Sequence, residues 1–169
     1  MFGLLMAIAA ATAGNPLIPA QAGELQCYSP NTEKKTCRSL ATYKEDESGG
    51  YANTAVVLLS NSRAITLETI TEVKLIDGAV CGKILAEDIL RGTIKADGNS
   101  MPAERVASVL DQVAKAMAER SLTGHEICTR YETTSERLTA KASIDGVYHP
   151  ELDQPVVWVK PTDGYTVAP

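Results

Sequence analysis

The sequence predicts an α+β fold: an antiparallel β-sheet built of hairpins, one main α-helix packed on a face, and two disulfides. Three observations carry this expectation. Between Ile65 and Leu75 the apolar residues Ile65, Leu67, Val73 and Leu75 keep one parity and Glu68, Glu72 and Lys74 the other, the period of a strand with one buried face. Asp-Gly pairs at 77–78, 97–98 and 145–146 stand between β-favouring runs, and both residues tolerate the positive φ of a tight hairpin. Between Pro102 and Arg120, by contrast, Val106, Val109, Leu110, Val113 and Met117 recur at helical spacing on one stripe. Runs of strands interrupted by a single amphipathic helix argue for a helix laid on an antiparallel sheet.

The elements follow in order. Met1 to Ala13 is apolar and uncharged, Gly14-Asn15-Pro16 breaks a helix, and Ala20 and Ala22 place small residues where a signal peptidase requires them. The expected organisation is a signal peptide over 1–22 and one α+β domain over 23–169. A membrane anchor needs roughly 20 predominantly apolar residues, more than this run supplies, so no stable span is expected after cleavage. Glu24–Leu25–Gln26 before Cys27 does not fit a lipid-attachment site. Glu24 to Tyr28 and Thr36 to Tyr43 read as strands, and the charged, glycine-rich stretch from Lys44 to Gly50 as a solvated loop. Thr54 to Ser60 reads as a central strand and Ala79 to Cys81 as the return of the 77–78 hairpin. A helical turn is expected near Leu85 to Leu90, and Thr93 to Ala96 leads into the turn at Asp97-Gly98. Ser100 suits the N-cap of the main helix and Gly124 its stop. Glu126 to Glu132, Arg137 to Ile144 and Gln154 to Lys160 complete the strands.

Four cysteines, Cys27, Cys37, Cys81 and Cys128, all follow the leader, and an even number in an exported chain reads as two disulfides. Three pairings are possible. Cys27 with Cys37 is favoured because Pro30-Asn31 folds the intervening chain back, and Cys81 with Cys128 follows by elimination. Zinc sites bring thiolates in close pairs such as C-x2-C, which this spacing lacks, so no metal is expected.

Little chemistry can be placed. The chain carries 16 Lys+Arg against 21 Asp+Glu, a net charge of −5 without a basic face, which argues against nucleic acid as a partner. The one basic cluster, Lys34, Lys35 and Arg38, sits in and beside the small disulfide loop and is a candidate contact for an anionic envelope polymer. His125 and His149 have no Gly-x-Ser-x-Gly elbow to serve. His125-Glu126-Ile127-Cys128 does not repeat the spacing of a zinc protease. Paired carboxylates among Glu126, Glu132 and Glu136, or Glu151 and Asp153, leave a glycoside-hydrolase type of chemistry open. No glycine-rich phosphate cradle is present and no cofactor is expected. Trp158, the only tryptophan, alternates with Val157 and Val159 and reads as core. Exposed beside Tyr148 or Tyr165, it would mark a sugar- or peptide-binding patch.

The pattern Cys27-Tyr28-Ser29-Pro30 with Thr36-Cys37, then Cys128-Thr129-Arg130-Tyr131, and Asp145-Gly146 followed by Trp158-Val159, resembles uncharacterised small exported, periplasmic proteins of alphaproteobacteria. The resemblance covers most of the mature chain; its motifs are structural and imply no activity. The expectation is a periplasmic or secreted binding or interaction domain for a protein or cell-envelope ligand, more readily than an enzyme. The alternatives are a small envelope hydrolase working through carboxylates and an inhibitor acting through the Cys27–Cys37 loop.

Overall fold

A computed structural model describes residues 14–135 and 137–169. In chain order the helices are α1 (Ile18–Gln21), α2 (Ala86–Leu90) and α3 (Ala103–Glu119). The strands are β1 (Leu25–Tyr28), β2 (Thr36–Cys37), β3 (Ser39–Glu45), β4 (Tyr51–Leu58), β5 (Ile65–Ile76), β6 (Ala79–Lys83), β7 (Thr93–Ala96) and β8 (Asn99–Ser100). They continue as β9 (Glu126–Thr134), β10 (Arg137–Ile144), β11 (Val147–Tyr148), β12 (Gln154–Val159) and β13 (Thr166–Val167). The three Asp-Gly hairpins are formed as their sequence requires: φ is 48° and 76° at Asp77 and Gly78, and both residues of the other two pairs are also left-handed.

The expected α+β layering is overturned. Eight strands, β1, β3, β4, β5, β6, β9, β10 and β12, meander in chain order, each antiparallel to the last, and β12 pairs back onto β1 from Leu25↔Val159 to Tyr28↔Val156. The sheet is a closed barrel, with no open face for a helix to cover. Strand β5 makes closure possible, because its 12 residues are shared. One side pairs with β4 from Thr66 to Val73; the other pairs with β7 near its start and β6 near its end. The chain between β6 and β9 forms a lobe beside the barrel, made of α2, β7, β8 and α3.

The main helix belongs to that lobe. Its stripe Val106, Val109, Leu110, Val113 and Met117 packs on Leu67, Ile89 and Ile94, as the helical spacing anticipates, but its partners are α2, β7 and the start of β5. Ser100 does not cap it: that residue lies in β8, paired with Lys95 of β7, and the helix begins after Pro102.

The strand expected over Thr36 to Tyr43 breaks at the exposed Arg38. Its first part, β2, pairs in parallel with β13, which brings the C-terminal segment over the barrel wall. Cys27 and Cys37 are bonded there, buried with Val159 and packed by Leu25, Leu40 and Tyr165. Cys81 and Cys128 are bonded across β6 and β9, where they stand directly opposite in register. No helix among the described residues is long and apolar enough to cross a membrane.

The segment expected to be the end of a cleaved leader is packed as part of the domain. Asn15 Oδ1 accepts from Leu17 N at 2.8 Å and starts the turn into α1. Leu17 is 0% exposed, seated with Tyr51 and Val80 at the barrel end that carries the β3–β4 and β5–β6 turns.

Candidate functional site in the barrel lumen

Alternation and register define the inward face. Tyr43, Asn53 and Thr71 lie side by side across β3, β4 and β5, and Trp158, Gln26, Ala41, Ala55 and Thr69 form the next row from β12 to β5. Tyr43, Tyr51, Val73, Leu75, Val80, Tyr131 and Trp158, drawn from six strands, meet in one cluster, which fixes this face as the interior.

At its centre is a buried polar group. Gln26 is 0% exposed, and its Oε1 accepts from Tyr43 at 2.6 Å and from Tyr28 at 2.9 Å. The Tyr131 hydroxyl lies 2.8 Å from that of Tyr28 and 3.3 Å from the same amide oxygen. A carbonyl oxygen has two lone pairs, so Tyr43 and Tyr28 fill it and Tyr131 donates to Tyr28. Burial, then the neighbouring phenols, pushes the Tyr28 and Tyr43 hydroxyls well above the ordinary phenol range, so both are firmly protonated. The Gln26 amide nitrogen has no hydrogen-bond partner. Tyr43 and Trp158 stack obliquely beside it, ring centroids 6.4 Å apart at 55°.

The two walls of the lumen differ. Around Gln26 the inward residues Ala41, Ala140 and Val156 are buried, whereas Asn53, Ala55, Thr69, Thr71, Thr129 and Ala142 opposite are only half-buried. α1 closes one end, and Val57, inward-facing near the other, is 37% exposed. The inward face has small, neutral walls and an aromatic, hydroxyl-lined floor.

Other candidate residues are dispersed. Trp158 is half-buried in this cluster, apart from Tyr148, whose hydroxyl donates to Asp153 at 2.5 Å, and from Tyr165, which packs on the Cys27–Cys37 bridge. Lys34, Lys35 and Arg38 do not act as one patch. Lys35 Nζ donates to the Asp163 carbonyl at 3.0 Å, and Arg38 donates to Asn61 at 2.7 Å. Each histidine is held by a carboxylate, His125 by Asp145 at 2.6 Å and His149 by Glu151 at 2.7 Å. These contacts hold the Asp145 and Glu151 carboxyls below their ordinary range. Glu132 is tied to Lys141 at 2.7 Å. Glu136 lies outside the described residues. Glu126 borders an outer groove of about 790 Å³ between β5, β6 and α2, where Glu72, Lys74, Lys83, Asp88 and Arg91 mix both signs of charge. Among the described residues no three His, Cys, Asp or Glu side chains are gathered to hold a metal ion.

Sequence reasoning missed Gln26, Tyr28, Tyr43 and Tyr131 as a group. A trace was present: Gln26 and Tyr28 share strand parity, as do Tyr43 and the buried Ala41, but which parity faces inward depends on closure. Comparison with protein-family models, with curated proteins and with solved structures finds no match for this chain.

Proposed function

We propose that the protein is an exported binding barrel that takes one small neutral molecule into its lumen, against the Gln26–tyrosine cluster. The observation that carries this reading is the Gln26 amide nitrogen, fully buried without an acceptor. Such an orphan costs about 1–3 kcal/mol; since Gln26 is 0% exposed, a ligand oxygen offsets that cost by displacing the side chains packed on the amide. An eight-stranded barrel has an interior that side chains just fill or that holds one small ligand, and the half-buried wall of Asn53, Ala55, Thr69 and Thr71 favours the second. Aromatic rings on the floor and no charged side chain among these residues favour a flat, uncharged ligand with a carbonyl or hydroxyl oxygen.

Export, to the periplasm or beyond, is supported by the apolar leader and the two disulfides. A carboxylate hydrolase has less support, because Glu132, Glu151 and Asp153 are each bonded to a neighbour outside the barrel. An inhibitory Cys27–Cys37 loop has less as well, since Lys35 is anchored to the C-terminal segment.

A thermal-shift screen of neutral phenols, amides and aromatic alcohols on the unreduced protein tests the reading, with Trp158 emission as second readout. The expected hit raises Tm, changes Trp158 emission, and loses both effects in Gln26→Leu and in Thr69→Leu, which narrows the opposite wall. If no compound moves both readouts, or hits bind both variants unchanged, the lumen is not a binding site.

A further inference from the structure

We infer that the export cut falls between Ala13 and Gly14, so that the mature protein keeps residues 14–22 as the plug of its barrel. This rests on the export half of the proposed function and is independent of the ligand. Two tripeptides offer small residues at the spacing a signal peptidase reads, Ala20-Gln21-Ala22 and Ala11-Thr12-Ala13. Leader length favours the first, since leaders usually run to about 15–30 residues; the packing of residues 14–22 favours the second.

Cutting after Ala22 would remove a segment that is part of the core. Leu17 is one of the few side chains at 0% exposure and fills the barrel end against Tyr51 and Val80, with Ala20 packed beside it. The Tyr51 hydroxyl lies 3.5 Å from the Asn15 amide nitrogen and 3.4 Å from that of Gln21, so both polar residues of the segment converge on one phenol. The join to β1 is also fixed from this side, with Gly23 N donating to Ala20 O at 2.9 Å and Glu24 N to Pro19 O at 3.0 Å. A chain starting at Gly23 would lose all of these and open the aromatic floor to water. A cut after Ala13 loses none of them. Water adds across the Ala13–Gly14 amide, the leader leaves with a new carboxylate, and the domain gains an amino terminus at the exposed Gly14.

The full 169-residue chain, expressed in a host with a signal peptidase, tests this through the intact mass of the exported, unreduced protein. A mass beginning at Gly14 is expected, with processing blocked by Ala13→Asp and unaffected by Ala22→Asp. In that protein Leu17→Asp should lower Tm and shift Trp158 emission to the red. A mass beginning at Gly23, processing blocked by Ala22→Asp alone, or Leu17→Asp without effect on either readout overturns the inference while leaving export standing. A chain retained inside the cell with Met1 intact overturns both.

Discussion

The Gln26 cluster sets the behaviour of the molecule at the level of single side chains. Tyr43 gives its proton to the amide oxygen over the shortest of these contacts, 2.6 Å, whereas Tyr131 reaches that oxygen only at 3.3 Å and is satisfied by Tyr28. Tyr43→Phe should therefore destabilise the protein by about 1–2 kcal/mol in urea unfolding, and Tyr131→Phe by about half of that or less. Equal losses would mean that the three hydroxyls share the oxygen evenly. The raised pKa of Tyr28 and Tyr43 sets a pH dependence as well. Both phenols ionise more readily in the unfolded chain, near pH 10, so the folded state binds more protons above that point. Stability is thus fully present below about pH 10 and falls as pH rises beyond it. In an alkaline titration followed by phenolate absorbance, two of the six tyrosines should ionise only together with loss of tertiary structure. Early ionisation of all six would contradict the buried placement. The opposite limb has an exposed example. The Asp145 carboxyl is held below its ordinary range by the hydrogen bond from His125, then by the Glu126 amide. The stabilisation from that bond is present above about pH 4 and lost as pH falls. Asp145→Asn should flatten the acid limb of a Tm–pH profile, and an unchanged limb would mean that the pair contributes nothing in solution.

Single elements were the most legible part of the sequence. The parity of β5, the three Asp-Gly turns and the stripe of α3 are local patterns, and each formed where its residues placed it. Their partners were not legible. Leu67 has the parity of the lumen residues Val73 and Leu75, yet it is buried by Ile89, Ile94 and Leu110, because β7 rather than β6 lies beside that end of β5. Nothing within eleven residues of alternation marks that change of neighbour. The resulting division between lobe and barrel can be measured. Leu110→Ala removes a buried side chain that anchors α3, a loss of about 2–4 kcal/mol. Since α3 packs on α2, β7 and the start of β5, amide exchange should quicken in α3 and α2 while Trp158 emission stays unchanged. A shift of Trp158 emission in this variant would show lobe and lumen to be one cooperative unit.

Closure, at the scale of the whole molecule, was hidden because it depends on pairings between distant parts of the chain. β1 meets β12 more than a hundred residues later, and β6 meets β9 across the whole lobe. Small inward residues, Ala41, Ala55, Ala140 and Ala142, allow the walls to curve around the lumen, yet in sequence they look like ordinary strand alanines. The two disulfides were legible as chemistry, and their places show which seams they secure. Cys27–Cys37 closes a separation of 10 residues on the outside of β1; Cys81–Cys128 closes 47 and crosses the seam where the lobe leaves the barrel and returns. The chain-entropy argument assigns about 3 kcal/mol to the shorter link and about 4 kcal/mol to the longer. Ladder length does not separate the two seams, since β6 has four register pairs to β5 and β1 has three to β3 and four to β12, so the longer closed loop decides. Replacing Cys81 and Cys128 together with serine should therefore lower Tm more than the Cys27/Cys37 double replacement, and should speed amide exchange in β6 and β9 first. If removing the short link is the more damaging change, the weak point of the barrel lies at β1, and the first and last staves hold it shut.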